Sequence, residues 1–235
     1  MIEIVRLLLL WLGANFASGL LAGFLLAPFS GIPGLNEHAL FLIKVLLGGG
    51  LFYYVLLTKG KTYAVELFSG FAVSAKFSKA LKYFSLYLLF FVGIAGAVLL
   101  AVYTYARLAS VPVGSLTAPM SSSADFERFG SLETLAGWVL YLLGACVLAP
   151  LIEEVYYRGL LFTEARKKWN FWISTTITAI VFGLFHPNIL LAVLDGAFLC
   201  YTFDKEKDLQ TNILLHSLLN IFSISMMVAL TRFGF

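Results

Sequence analysis

The chain has 235 residues, of which 60% are hydrophobic and 12% charged, and its formal net charge is +3. A mean hydropathy of +0.92, with a charged share about half that of soluble domains, excludes a soluble globular enzyme, a disordered chain and a nucleic-acid-binding module. The apolar content suffices for about seven helices of ~20 residues, so the chain reads as all-α: a polytopic integral membrane helical bundle.

Seven apolar stretches follow in order, at about 7–27, 38–57, 83–106, 132–162, 171–187, 189–203 and 210–231. Lipid offers the backbone no hydrogen-bond partner, so each is expected to be a helix. The first follows Arg6 but outruns the ~7–15 residues of a signal-peptide core, which predicts a retained span. Residues 58–82 carry five lysines among apolar side chains and predict an interfacial amphipathic segment. Residues 107–131, with two of the six prolines and a run of serines, predict an outer loop. Cys146 and Cys200 both lie in apolar runs and give no disulfide framework.

Orientation follows from Lys and Arg. With the N-terminus inside, the inner segments hold Arg6, Lys59, Lys61, Lys76, Lys79, Lys82, Arg166, Lys167, Lys168, Lys205 and Lys207. The outer segments hold only Arg107, Arg128 and Arg232, and Lys44 and Arg158 fall within spans. The N-terminus is therefore expected in the cytoplasm and the C-terminus outside. Two parts are expected: residues 1–131, chemically plain, with the amphipathic segment and the outer loop, and residues 132–235, which carry the polar positions.

Ionisable residues inside a bilayer are costly and point to function. Here they cluster. Pro150, Glu153, Glu154 and Arg158 lie in the fourth stretch, Phe182 and His186 in the fifth, and His216 and Asn220 in the seventh. Adjacent helical residues point ~100° apart, so Glu153 and Glu154 cannot share one role. Glu154 and Arg158 are i, i+4, the spacing at which carboxylate and guanidinium meet. Glu153 is then left to face a cavity. His216 and Asn220 repeat the i, i+4 spacing, as do Phe182 and His186. If the fourth and fifth helices turn near Trp169 and Asn170, Glu153 and His186 both stand ~24 Å from the turn, at one level. His216 reaches that level only if the short sixth helix starts at mid-depth after Pro187. Taken singly, the Glu–Arg pair reads as a packing clamp, each histidine as a satisfied core residue and Asn220 as an interhelical hydrogen-bonding residue. Together they read as a site. Asp195 and Lys44 match no motif and are expected to be structural or cavity-lining.

The succession EExxxR, FxxxH and HxxxN, each on its own apolar helix, resembles the CPBP family, which comprises the type II CAAX prenyl endopeptidases and their bacterial Abi relatives. The resemblance covers residues 132–235 and rests on Glu153, Glu154, Arg158, Phe182, His186, His216 and Asn220. The resemblance implies hydrolysis of a peptide bond in or beside the membrane, on a membrane-associated or lipidated protein or peptide, from prenylated CaaX tails to unmodified peptides. Desolvation makes a carboxylate a stronger base, so Glu153 with His186 opposite could activate a water. His216 and Asn220 could then donate to the oxyanion, with Glu154 and Arg158 in support.

The chain has no HExxH, GxSG or GxGD motif for a zincin-like, rhomboid-like or aspartyl site. Glutamic catalysis without a cofactor is therefore expected. The alternatives are a zinc-dependent version using Glu153, His186 and His216, and a non-catalytic membrane-embedded regulatory partner. A transporter is disfavoured because no inverted repeat is visible. The compact chain predicts a prokaryotic plasma membrane, with the site open to the cytoplasm and no nucleic-acid partner.

Overall fold

A computed structural model describes residues 1–29, 35–66, 73–111 and 135–233. Among these residues the chain folds into seven long helices, one 3-10 turn at Ala27–Phe29 and no strands: α1 Ile2–Leu26, α2 Leu35–Glu66, α3 Val73–Ala109, α4 from Leu135 to Arg166, α5 Phe171–Leu184, α6 Ile189–Glu206 and α7 Leu209–Phe233. Five stretches are long and apolar enough to cross a membrane: Ile2–Leu26, Phe41–Gly60, Ser74–Ala109, Leu135–Arg166 and Leu209–Ala229. Helix α5, with 14 residues, rises only ~21 Å and stops short of a ~30 Å hydrocarbon core. The boundary expected between residues 131 and 132 lies outside the described residues, as does the outer loop beyond Val111.

The amphipathic segment expected at 58–82 is described only in part. Helix α2 breaks at Gly60, with φ +85° and ψ 165°, a conformation that side-chain-bearing residues rarely adopt. Its backbone then continues helically to Glu66, while Lys76 and Lys79 lie on the first turns of α3. The lysine-bearing stretch is thus divided between two helices, with residues 67–72 outside the described set. No proline interrupts the segment, so helical propagation continues into it from both sides.

Helix α4 runs through the middle of the bundle, against α1, α2, α5, α6 and α7. Helices α5 and α6 form a tight hairpin, each started by an asparagine whose side chain accepts a backbone N–H: Asn170 from Ile173 at 3.0 Å and Asn188 from Leu191 at 3.2 Å. Two glycines bring the hairpin's helices close. A Cβ on Gly183 would lie 2.5 Å from Val193 Cγ2, and one on Gly196 would lie 3.1 Å from both Ala179 Cα and Phe182 Cδ1. Helix α6 therefore begins level with His186 and returns toward the end from which α5 came, as the placement of His216 required.

That end gathers the charges. Lys59 pairs with Glu164 at 3.5 Å, Arg166 with Asp204 at 3.3 Å, Lys79 with Glu206 at 2.7 Å and Lys76 with Asp208 at 3.1 Å. These are the segments assigned to the inner side by the count of basic residues. Elsewhere the bundle is inverted relative to a soluble protein: Phe16, Phe24, Leu89 and Leu100 are exposed, while Glu153, Glu154, Arg158, Asn212 and His216 are buried. An apolar exterior around a polar interior is the arrangement lipid requires.

Candidate active site

The polar interior is organised by α4, and its local geometry begins with Pro150. Proline has no N–H, and its ring crowds the carbonyl one turn back. The helix widens into a π-helical stretch at Gly144–Leu148 just before it, a distortion common at functional sites. Ala149 N–H consequently reaches back five residues to Gly144 O. Ala145 O, its ordinary partner, accepts instead from Asn220 Nδ2 on α7 at 2.7 Å. A second π-helical stretch, Val155–Phe162, follows Glu154. There Thr163 Oγ1 donates to Arg158 O at 2.8 Å.

Glu153 is buried, and side chains from α2, from the α5–α6 turn and from α7 address it. Lys44 of α2 donates from Nζ to Oε1 at 2.7 Å. Oε2 lies 3.7 Å from His186 Nε2, just beyond α5, and 3.9 Å from His216 Nε2 on α7. The other nitrogen of each ring is committed. His186 Nδ1 lies 2.8 Å from Phe182 O, and His216 Nδ1 lies 2.8 Å from Glu154 Oε1. A carbonyl or carboxylate oxygen only accepts, so both Nδ1 atoms carry hydrogen. Each Nε2 is then an acceptor in the neutral ring and a donor in the cation. The level match of Glu153 with His186 predicted from the hairpin is met.

Glu154 points elsewhere, as the ~100° offset requires. Its Oε1 accepts from Arg158 Nη1 at 2.7 Å and from His216 Nδ1, and its Oε2 accepts from Asn212 Nδ2 at 2.9 Å. Arg158 also donates from Nη2 to Gly196 O at 2.9 Å, tying α4 to α6. Phe182 packs against all of this. Its ring centroid is 4.3 Å from that of His186 and 5.7 Å from that of His216, and the Arg158 guanidinium lies 4.9 Å over it.

Six of the seven motif residues are therefore at or beside one centre, each with its own contacts. Glu153, His186 and His216 converge. Glu154, Arg158 and Phe182 hold the histidines and the helices. Asn220 shares the face of His216 but spends one N–H on Ala145 O, about two turns before Glu153 along α4. One participant, Asn212, escaped sequence reasoning, and a second, Lys44, was expected only to be structural or cavity-lining. Asn212, one turn before His216, also donates to Leu199 O at 2.9 Å and accepts from Thr202 Oγ1 at 2.7 Å; its i, i+4 step to His216 was the available signal. Lys44 lies over a hundred residues from Glu153 in sequence, and no local pattern marks it. Asp195 accepts from Tyr87 OH at 2.6 Å, in keeping with a structural part.

The oxygen and two nitrogens that converge are of the kind zinc accepts. Among the described residues, however, no three His, Cys, Asp or Glu side chains are grouped so as to hold a metal ion, and Lys44 already occupies the other oxygen of Glu153.

The family described as "Type II CAAX prenyl endopeptidase Rce1-like" matches residues 135–222, the stretch that contains the three motifs. That stretch is similar to the family, and it is a little over a third of the chain. The chain is also similar to the "Putative membrane peptidase YdiL" of Bacillus subtilis (strain 168), at 23% identity over 104 residues. That match takes in 43% of this chain and 43% of the relative, so the chain spans less than half of that protein's length. No solved structure matches the chain. Both likenesses are to peptidases by their descriptions, which supports a membrane protease in general.

Proposed function

We propose that the chain is an intramembrane endopeptidase of the glutamic type, cutting a membrane-associated or lipidated protein or peptide with a water activated by Glu153. The observation that carries this reading is the convergence of Glu153 Oε2 with the Nε2 atoms of His186 and His216. In the reaction Glu153 Oε2 takes one proton from the water as its oxygen adds to the scissile carbonyl carbon, while neutral His186 accepts the water's other hydrogen. The carbonyl oxygen becomes an oxyanion, met by Nε2–H of His216 in its cationic form and by the second N–H of Asn220. Glu153 then passes its proton to the amide nitrogen. The C–N bond breaks, and an acid and an amine leave with one water consumed.

Access fits the same geometry. A cavity of about 250 Å³ at the charged end is lined by Glu3, Arg6, Tyr54, Lys59 and Glu164. It shares Leu7, Tyr54 and Leu160 with an apolar cavity of about 140 Å³ that reaches Trp11 and Leu47. Leu47 is one helical turn from Lys44. We read this as the route between α1 and α2 by which an amphipathic substrate leaves the bilayer, with the site open to the cytoplasm of a prokaryotic cell.

The decisive measurement is proteolysis by the purified protein in liposomes, with and without Glu153→Gln. Loss of the base should lower kcat by about 10²–10⁴-fold while the protein stays folded and inserted. Activity within tenfold of wild type would falsify the assignment.

A further inference from the structure

We infer that Lys44 is a positioning residue for Glu153, so that the catalytic centre extends beyond residues 135–222 into the N-terminal helices. This rests on Glu153 as the base. Among the described residues Lys44 is the one lysine or arginine paired with that carboxylate, because Arg158 is spent on Glu154. The groups facing Glu153 are Lys44 from α2, His186 beyond α5 and His216 from α7, with Tyr157 one turn on along α4 itself.

The contact is built into both helices. Gly48 lies one turn from Lys44 on α2, and a Cβ there would stand 3.1 Å from Cδ1 of Ile152, the neighbour of Glu153. A glycine at this point lets α2 come close enough for the lysine to reach. A lysine within a span is costly unless it is partnered, and this one is 2.7 Å from a carboxylate oxygen.

Two consequences follow for the chemistry. The ammonium balances the buried negative charge that a base must carry, in surroundings where an isolated charge is unfavourable. By taking Oε1 it also fixes the carboxylate plane and turns Oε2 toward both histidines. Small errors in such placement cost up to about 10²-fold in rate.

The test uses the full chain in liposomes with Lys44→Met, Lys44→Arg, Glu153→Gln and the double variant Lys44→Met/Glu153→Gln. Lys44→Met should lose about 10²-fold in kcat per folded molecule with KM little changed, and Lys44→Arg should recover at least a tenth of wild-type kcat. Lys44→Met strands a carboxylate, so its melting temperature in detergent should fall, and the double variant should regain it even if the single one folds poorly. A lysine with a purely structural part would lower folded yield while leaving kcat per folded molecule unchanged. That result overturns the inference, as does a rise in activity, which would make Lys44 an occluding group. Folded Lys44→Arg no faster than Lys44→Met also overturns it. An active Glu153→Gln variant would instead sink the base assignment beneath it.

Discussion

His216 Nδ1 lies 2.8 Å from Glu154 Oε1, so the second carboxylate of the Glu153–Glu154 pair serves a histidine as well as the arginine one turn away. A carboxylate behind a working histidine fixes which ring nitrogen carries hydrogen and where the ring points. Glu154→Gln keeps the shape but loses the charge and one acceptor oxygen. It should lower kcat by about 10–100-fold with KM unchanged, the usual scale for removing an orienting partner. An unchanged kcat in a steady-state assay would reduce Glu154 to a partner of Arg158 alone.

Arg158 is fully buried and joins α4 to α6 through Glu154 and Gly196 O. Arg158→Ala leaves the Glu154 charge without its guanidinium, which costs about 3–5 kcal/mol. Expression and melting temperature in detergent should therefore fall before chemistry is affected. A variant that melts like wild type yet is inactive would show that Arg158 acts on the substrate directly.

Zinc and glutamic catalysis separate through chelation and Asn220. In the glutamic reading exhaustive chelation leaves activity intact, and purified protein carries no stoichiometric zinc. Asn220→Ala has two effects. It orphans Ala145 O, which costs about 1–3 kcal/mol if no water replaces the amide. It also removes an oxyanion donor, worth about 10²–10³-fold in kcat per folded molecule. Zinc at one equivalent, with activity that follows its removal and return, would overturn the glutamic reading. A fall in stability without a fall in kcat would confine Asn220 to joining α7 to α4.

At the charged end Glu206 is held below the usual carboxylate range by hydrogen bonds from Lys79 and from Tyr83, the latter at 2.7 Å. A carboxylate with a lowered folded value contributes stability above its ordinary value near 4.5 and loses it as pH falls through the folded value. Melting temperature in detergent should therefore drop as pH is lowered below about 4.5. Glu206→Gln should be less stable than wild type at pH 7, and the difference should shrink in acid. A constant difference across that range would mean the pair adds nothing to stability.

Much was legible because lipid restricts the backbone to a few solutions. Apolar length gave most helix ends to within about five residues, but α2 runs to Glu66 and α3 starts at Val73, nine and ten residues beyond their apolar stretches. The basic residues marked the end where Arg166, Lys79 and Lys59 find their acidic partners. The i, i+4 rule paired Glu154 with Arg158, and the count from the turn levelled Glu153 with His186. These are all local periodicities, which a sequence carries directly. What only the tertiary structure decided depends on how distant helices approach. Lys44 reaches Glu153 because Gly48 lets α2 close on Ile152. His216 turns its Nδ1 to Glu154 because α7 crosses α4 there. Asn220 meets Ala145 O because Pro150 widens the helix and frees a carbonyl. A side chain's partner across a bundle is set by helix crossing and rotation, and those follow from packing summed over the whole interior rather than from any one segment's spacing.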